Sequence, residues 1–386
     1  MSRLFTCSLQ LLAGIVAASW LGVAVHAQTL LFSDDLSTGT GWEFSHFGGT
    51  AKPSPNDISE ADFGFNYAAL GIPEAPNSQP GNSTRRGLRL ATNTVGEFAG
   101  DQIAVVYESP LFVGQYTVQV DAWLNWAPNV SDVGTTEHIG VLAGFNVADA
   151  QRTFSPGQNG AGVLYSSDGG GGCSSTGSAC DYMLVKNGSE LDLTSGQYGQ
   201  TSFGLSNQAG YDNTDSNANL NLQTLFPSFN IATATSGSNA TGTQPAGALG
   251  FQWVTVTLEV DADAIGNGTN GHLGTVKVTL ESHRSGNSFV LGIIDNSIEQ
   301  NPADGINTYE RPVNLEGGIG LMMTDLFASG PTNPNFAFAL FDNVRVYQGL
   351  RSESLTNNYR AVPEPASFML LATLAVGLCV GRWQRS

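Results

Sequence analysis

Between Trp253 and Val260 the chain alternates: Val254, Val256, Leu258 and Val260 are aliphatic, and Thr255, Thr257 and Glu259 between them are polar. A period of two fits a strand with one buried and one wet face, and it does not fit a helix. Tyr116 to Trp123 follows the same rule. Tyr116, Val118, Val120 and Ala122 share one face, and Thr117, Gln119, Asp121 and Trp123 share the other. Thr275 to Glu281 repeats it with Val276, Val278 and Leu280. The turn sequence Gly266-Asn267-Gly268-Thr269-Asn270-Gly271 lies between two of these runs and predicts a hairpin. Asn335 to Tyr347 is apolar on both faces at its start, which predicts a central strand covered on both sides.

No amphipathic helix of convincing length lies between the chain ends. Charged residues make up only 12% of the 386 residues and Gly numbers 47, a composition that suits strands and turns rather than long helices with charged wet faces. The expectation is an all-β sandwich or jelly roll in one domain, residues 28–350, with long loop insertions at Gln151 to Cys180 and Gly204 to Gly250. Lys occurs only at positions 52, 186 and 277, and the net charge is −18. Such a polyanion repels nucleic acid and anionic lipid and attracts divalent cations; solubility alone also accounts for the charge.

The two ends carry addresses. Met1 to Ala27 opens with Arg3, continues with an almost wholly apolar run from Leu9 to Val25, and ends on Val25-His26-Ala27, which predicts a signal helix cleaved before Gln28. At the other end, residues 351–362 form a tether. Val362-Pro363-Glu364-Pro365 follows, then an apolar stretch from Ala366 to Gly381, then Arg382-Trp383-Gln384-Arg385-Ser386. As a helix the apolar stretch spans about 24 Å, a little short of a bilayer core of about 30 Å. The terminal Trp and Arg residues would sit at the cytoplasmic interface. This order resembles the PEP-CTERM sorting segment, residues 363–386, of Gram-negative bacteria. The resemblance implies transient anchoring in the inner membrane and processing near Pro363, Glu364 and Pro365 by an exosortase-type membrane protease. It further implies a cell-surface or matrix destination beside exopolysaccharide.

Four cysteines occur; Cys7 and Cys379 lie in the end segments. Cys173 and Cys180 remain in the exported body, and an oxidising compartment predicts a disulfide between them that pins one short loop.

Three stretches of the body also resemble a known group: Asp62 to Pro73, Thr84 to Leu90, and the closing Leu340-Phe341-Asp342-Asn343-Val344-Arg345-Val346. They are similar to uncharacterised secreted bacterial proteins with a concanavalin A-like jelly roll, many with PEP-CTERM tails. The resemblance implies a fold and no activity. Lectin-like jelly rolls often bind calcium where first and last strands meet. Asp34, Asp35 and Asp342 supply oxygens of that type, and solvated turn carboxylates are the alternative.

Catalytic patterns are missing from the local sequence. It has no phosphate loop, no Gly-x-Gly-x-x-Gly, no Gly-x-Ser-x-Gly and no His-Glu-x-x-His; His46, His138, His272 and His283 are scattered. Glu259-Val260-Asp261-Ala262-Asp263 begins like a laminarinase strand, but Ala264 stands where the second acid is needed. The same stretch mimics a calcium loop at Asp261, Asp263 and Gly266, yet has Ile265 and His272 at two ligand positions. Sugar binding uses flat rings beside polar groups, and Trp42, Tyr67, Trp123 and Trp126 are the candidates. The same rings also suit core or loop packing. The expected function is a non-enzymatic surface or matrix protein that binds polysaccharide. A purely structural envelope component and a glycan-cleaving jelly-roll enzyme are the alternatives.

Overall fold

The computed structural model describes residues 28–47, 60–78, 85–92, 101–125, 137–145, 160–166, 182–191, 195–198, 225–231, 242–244, 246–247, 249–265, 273–298, 313–325 and 337–351. The strands in chain order begin with β1 (Leu30–Asp34), β2 (Trp42–Phe47), β3 (Glu60–Asn66), β4 (Arg86–Ala91), β5 (Asp101–Phe112) and β6 (Gln115–Asn125). They continue with β7 (Glu137–Phe145), β8 (Ala161–Ser166), β9 (Tyr182–Lys186), β10 (Ser189–Glu190), β11 (Phe229–Ile231) and β12 (Gly242–Gln244). The last are β13 (Val254–Ile265), β14 (Leu273–Ser282), β15 (Asn287–Asp295), β16 (Gly317–Asp325) and β17 (Phe338–Gln348).

The architecture is an all-β jelly-roll sandwich. One sheet of eight strands runs β15-β14-β13-β6-β17-β4-β3, with β1 also on β17; the other, of seven, runs β10-β9-β8-β7-β16-β5-β2. Their neighbouring strands pair antiparallel, and the first and last strands lie side by side, Asp34 opposite Val344. The period-two runs behave as the alternation dictates. Val118 and Val120 of β6, Val256 and Leu258 of β13, and Val276 and Val278 of β14 point inward. There they meet Ile139 and Val141 of β7, Val163 of β8, and Leu321 and Met323 of β16. The predicted hairpin is β13–β14, paired from Val254–Ser282 to Asp261–Thr275.

β7, β8 and β16 are buried at every residue, so this part of the seven-stranded sheet is covered on both faces. Within this sheet Gly140 leaves room for its two cross-strand neighbours: a Cβ there would stand 2.5 Å from the side chains of both Leu164 on β8 and Met322 on β16. β17 is buried on both faces at its start, with Ala339 and Phe341 in the inter-sheet core and Phe338 and Leu340 in a second cluster outside it. Within the expected insertion at Gly204 to Gly250, the described residues include two short strands, β11 and β12, and core anchors. Leu225, Phe226 and Leu249 are core residues, and the Tyr182 hydroxyl donates to the carbonyl of Gly247.

Candidate functional site

The outer face of the eight-stranded sheet carries the side chains that alternation turns away from the core. Pairing aligns them in three rows across β17, β6, β13, β14 and β15, at about 4.8 Å per strand. The first row is Asp342, Asp121, Thr255, Glu281 and Ser288. The second is Arg345, Gln119, Thr257, Thr279 and Val290. The third is Tyr347, Thr117, Glu259, Lys277 and Ile293. Hydroxyl, amide, carboxylate and ammonium groups therefore stand side by side, with two aliphatic residues at the sheet edge.

One end of this face is roofed by the protein's own chain. After β3 the backbone makes a 3-10 turn, Tyr67–Leu70, that Gly71 terminates in the left-handed region at φ 75°. The turn and the residues after it place Tyr67, Ile72 and Ala75 over Trp123, Phe251, Trp253, Phe338 and Leu340. Trp253 meets Trp123 and Tyr67 edge-on, with ring centroids 5.7 and 5.5 Å apart, and its Nε1 donates to the Pro73 carbonyl at 2.8 Å.

Beside the rings the cap is tied down by a polar network. Asp121, fully buried, accepts four hydrogen bonds: from the Asn77 amide N–H at 2.9 Å, Asn77 Nδ2 at 2.6 Å, Thr255 Oγ1 at 2.6 Å and Asn343 Nδ2 at 2.9 Å. Arg345 donates to the Asn77 carbonyl. Asp342, directly opposite Asp121 in register, accepts from the Tyr67 hydroxyl at 2.8 Å and from the Asn343 N–H at 2.7 Å. Burial pushes the Asp342 carboxyl up to about 7, helped by the like charges of Asp121 and Asp35 and opposed by those two donors. Burial, with Asp342 close by, pushes the Tyr67 phenol up as well. The Thr255 proton is given to Asp121, so His283 Nε2, 2.6 Å from Thr255 Oγ1, stands as a donor to that hydroxyl rather than a base for it.

The sugar-stacking expectation fails for the rings that can be placed. Trp123 lies on the outer face, as alternation required, but the cap buries it to 2% exposure. Tyr67 is itself part of that cap and has no exposed surface. Trp42 is 8% exposed, packs against Phe32, Phe63 and Tyr107, and donates from Nε1 to Asp34 Oδ2 at 2.9 Å. Trp126 lies outside the described residues, as do Cys173, Cys180, Pro363, Glu364 and Pro365 and all of residues 1–27, on which the signal-helix expectation falls.

Asp34, Asp35 and Asp342 do not fit a calcium cage. Asp34 spends Oδ1 on the Leu36 N–H at 2.7 Å and Oδ2 on Trp42, Asp35 caps the Ser37 N–H at 3.0 Å, and Asp342 turns to Tyr67. Burial, and then the Asp35 charge, push the Asp34 carboxyl upward. Among the described residues no group of three or more His, Cys, Asp or Glu side chains could hold a metal ion, and no helix is long and apolar enough to cross a membrane. On the laminarinase-like strand, Glu259 is paired with Lys277 at 3.0 Å and Asp261 accepts from Gln115 Nε2 at 2.9 Å.

The residues not foreseen are Asn77 and Asn343, which hold Asp121, and Thr279, Lys277 and Tyr347, which stand half-buried on the open face beside Gln119, a residue that alternation had already turned there. Alternation carried a signal for the second group, because Thr255, Thr257 and Glu259 already read as outward. Nothing local carried one for the first, whose contacts with Asp121 span 44 and 222 residues.

No protein-family model matches the chain, and no curated protein matches it. Several solved structures are similar over most of its length. A Bacillus subtilis protein of unknown function with a galectin-like fold is 12% identical, with a TM-score of 0.36 over 84% of this chain and 99% of that one. The Emp47p carbohydrate recognition domain is 9% identical, with a TM-score of 0.32 over 85% and 100%. A laminarinase from Flavobacterium sp. UMI-01 is 10% identical, with a TM-score of 0.34 over 83% and 100%. The sandwich rests on the strand pairing above, not on these distant likenesses.

Proposed function

We propose that the chain is an exported surface or matrix protein of a Gram-negative bacterium whose sandwich contacts polysaccharide without cleaving it. The observation that carries this reading is the open part of the outer face, where Arg345, Gln119 and Thr279 of one row stand beside Tyr347 and Lys277 of the next, all half-buried. Closely spaced donors and acceptors on a rigid sheet match the hydroxyls of a polyol chain, and no side chain needs large reordering to meet them. The net charge of −18 favours a neutral glycan over an acidic one.

Export and the surface destination are supported by Met1 to Ala27 and by the Pro363-Glu364-Pro365 tail, whose processing partner is an exosortase-type protease. The non-enzymatic part is supported by the engagement of the buried carboxylates: Asp121 is saturated by four donors and Glu259 is ion-paired. A purely structural envelope role is the second reading. It is favoured by the cap and by the burial of β7 and β16 on both faces.

The double variant Gln119→Leu with Thr279→Val tests the face, since each change keeps shape and removes hydrogen-bonding groups. Its affinity for a neutral polysaccharide such as glucomannan should fall fivefold or more, as the loss of two hydrogen bonds of about 1 kcal/mol each predicts, while its melting temperature stays near the parent's. Unchanged affinity in this variant sinks the face assignment. A parent that retains no polysaccharide leaves the structural reading.

A further inference from the structure

Of the eight large apolar side chains exposed among the described residues, five gather at one corner of the sandwich: Leu30, Leu31, Leu111, Val113 and Leu350, between 37 and 61% exposed. Leu30 stands opposite Tyr347 in register, and the Gln348 N–H donates to the Thr29 carbonyl at 2.8 Å. The Gly349 N–H donates to the Gln115 carbonyl at 2.8 Å, which brings Leu350 beside the turn Val113–Gly114 between β5 and β6. Phe32 packs against Phe112, ring centroids 6.2 Å apart, and so draws β1 to the end of β5 that carries Leu111. Among the described strands β1 pairs only with β17, so Leu30 and Leu31 are both half exposed although alternation turns them opposite ways. A gathered apolar patch of this kind marks a contact surface, where single exposed residues mark nothing.

The same corner is where the chain enters and leaves the sandwich. Gln28 Nε2 donates to the Gly349 carbonyl at 3.0 Å, and Thr117 Oγ1 donates to the same oxygen at 2.8 Å. In the sequence the apolar run from Leu9 ends at Val25, with only His26 and Ala27 before Gln28, and the second apolar run begins at Ala366, just past the stretch that follows Leu350. A bilayer that takes up either run is thus joined by a short length of chain to the one corner with gathered aliphatic surface. A short covalent link raises effective concentration to the order of millimolar, so modest affinity is enough. The acid at the rim is Asp263, whose carboxylate lies 3.9 Å from the place of a Cβ on Gly114; with the net charge of −18 it disfavours anionic headgroups.

We propose that this corner docks on a lipid surface of zwitterionic headgroups, burying Leu30, Leu31, Leu111, Val113 and Leu350 at the boundary of headgroup and acyl chain; the idea rests on the export and anchoring part of the reading above. Apolar area buried at that boundary is what holds a peripheral protein on a bilayer. The backbone groups of Gln348 and Gly349 are already paired within the sandwich, so side chains and not a strand edge meet the lipid. Lipid contact and glycan contact use different residues, because the rows of the open face run through Gln119, Thr279 and Lys277.

Mass spectrometry of lipid adducts tests this on the full chain, reconstituted at one copy per vesicle into phosphatidylethanolamine and phosphatidylcholine vesicles that contain a photoactivatable phosphatidylcholine. Adducts on the peptides carrying Leu30 and Leu31, Leu111 and Val113, and Leu350 should exceed those on β15, whose Val290 is exposed on another face, at least fivefold. Leu111→Gln with Val113→Gln, at two exposed sites, should keep the parent's melting temperature and cut the labelling of Leu30 and Leu31 at least fivefold, while residues 366–381 are labelled as before. Labelling confined to residues 1–27 and 366–381, or corner labelling unchanged in the double variant, overturns the inference and leaves the anchoring reading standing. A corner that takes no label at one copy per vesicle, yet is protected from hydroxyl radicals when copies are crowded, belongs to a second copy, which also overturns it. A chain that floats with no vesicle and takes no label anywhere sinks the inference and the anchoring reading together.

Discussion

Trp123→Ala should destabilise the sandwich by about 3–5 kcal/mol in urea denaturation, the range for truncating a buried aromatic ring. The ring is 2% exposed and packs edge-on against Trp253, which packs edge-on against Tyr67. Each such pair adds about 0.5–1.5 kcal/mol beyond the area it buries. The cavity would open beneath the cap, not between the sheets, because Trp123 belongs to the cluster outside the eight-stranded sheet. The near-ultraviolet signal of the stacked indoles should therefore be lost in the folded variant while the far-ultraviolet strand signal survives. A cost within about 1 kcal/mol, typical of a surface site, would mean that the cap does not sit on this ring.

Asp342→Asn should abolish a pH dependence that the parent shows between about pH 4 and 7. The Asp342 carboxyl titrates near 7 in the folded protein and at its ordinary 3.8 when unfolded. The folded chain therefore holds the proton more tightly. Stability is fully present below about pH 4, declines as pH rises through the window, and levels off above 7, with a total loss of up to about 4 kcal/mol for a shift of this size. The cause is burial first, then the ionised carboxylates of Asp121 and Asp35. An Asn at this position keeps an oxygen for the Tyr67 hydroxyl and carries no charge, so the variant should be nearly flat where the parent falls. Asp34, also raised by burial, is present in both proteins and cancels in the difference. Parallel stability curves at pH 4.5 and 7.5 would refute the placement of an ionisable Asp342 under the cap.

Much of the sandwich is written in local pattern. The alternation in Tyr116 to Trp123, Trp253 to Val260 and Thr275 to Glu281 fixes strand, face and register together, because a slip of one residue would turn Val256 and Leu258 to solvent. The doubly apolar start at Phe338 to Phe341 likewise announced a strand covered twice. What alternation cannot say is what covers a face. Trp123 was correctly turned outward, but its fate depended on Tyr67, Ile72 and Ala75, which carry no period and arrive from about fifty residues earlier. Asp121 read as one more wet residue of β6. Its burial comes from Asn77, Thr255 and Asn343, three separate segments that only the folded chain assembles. Asp34 and Asp35 were placed correctly beside the last strand, yet carboxylates near a strand junction serve backbone N–H groups as readily as a metal.

The central claim, polysaccharide contact on the open outer face of the eight-stranded sheet, is tested most directly by hydroxyl-radical footprinting of the protein with and without glucomannan. Tyr347, Val290 and Ile293 should lose reactivity when the glycan is bound, because each contributes exposed or half-buried surface to the rows. Leu111 of β5, 57% exposed on the other sheet, should react as before. Undiminished oxidation of all three face residues under saturating glycan, or protection confined to the seven-stranded sheet, would contradict the account.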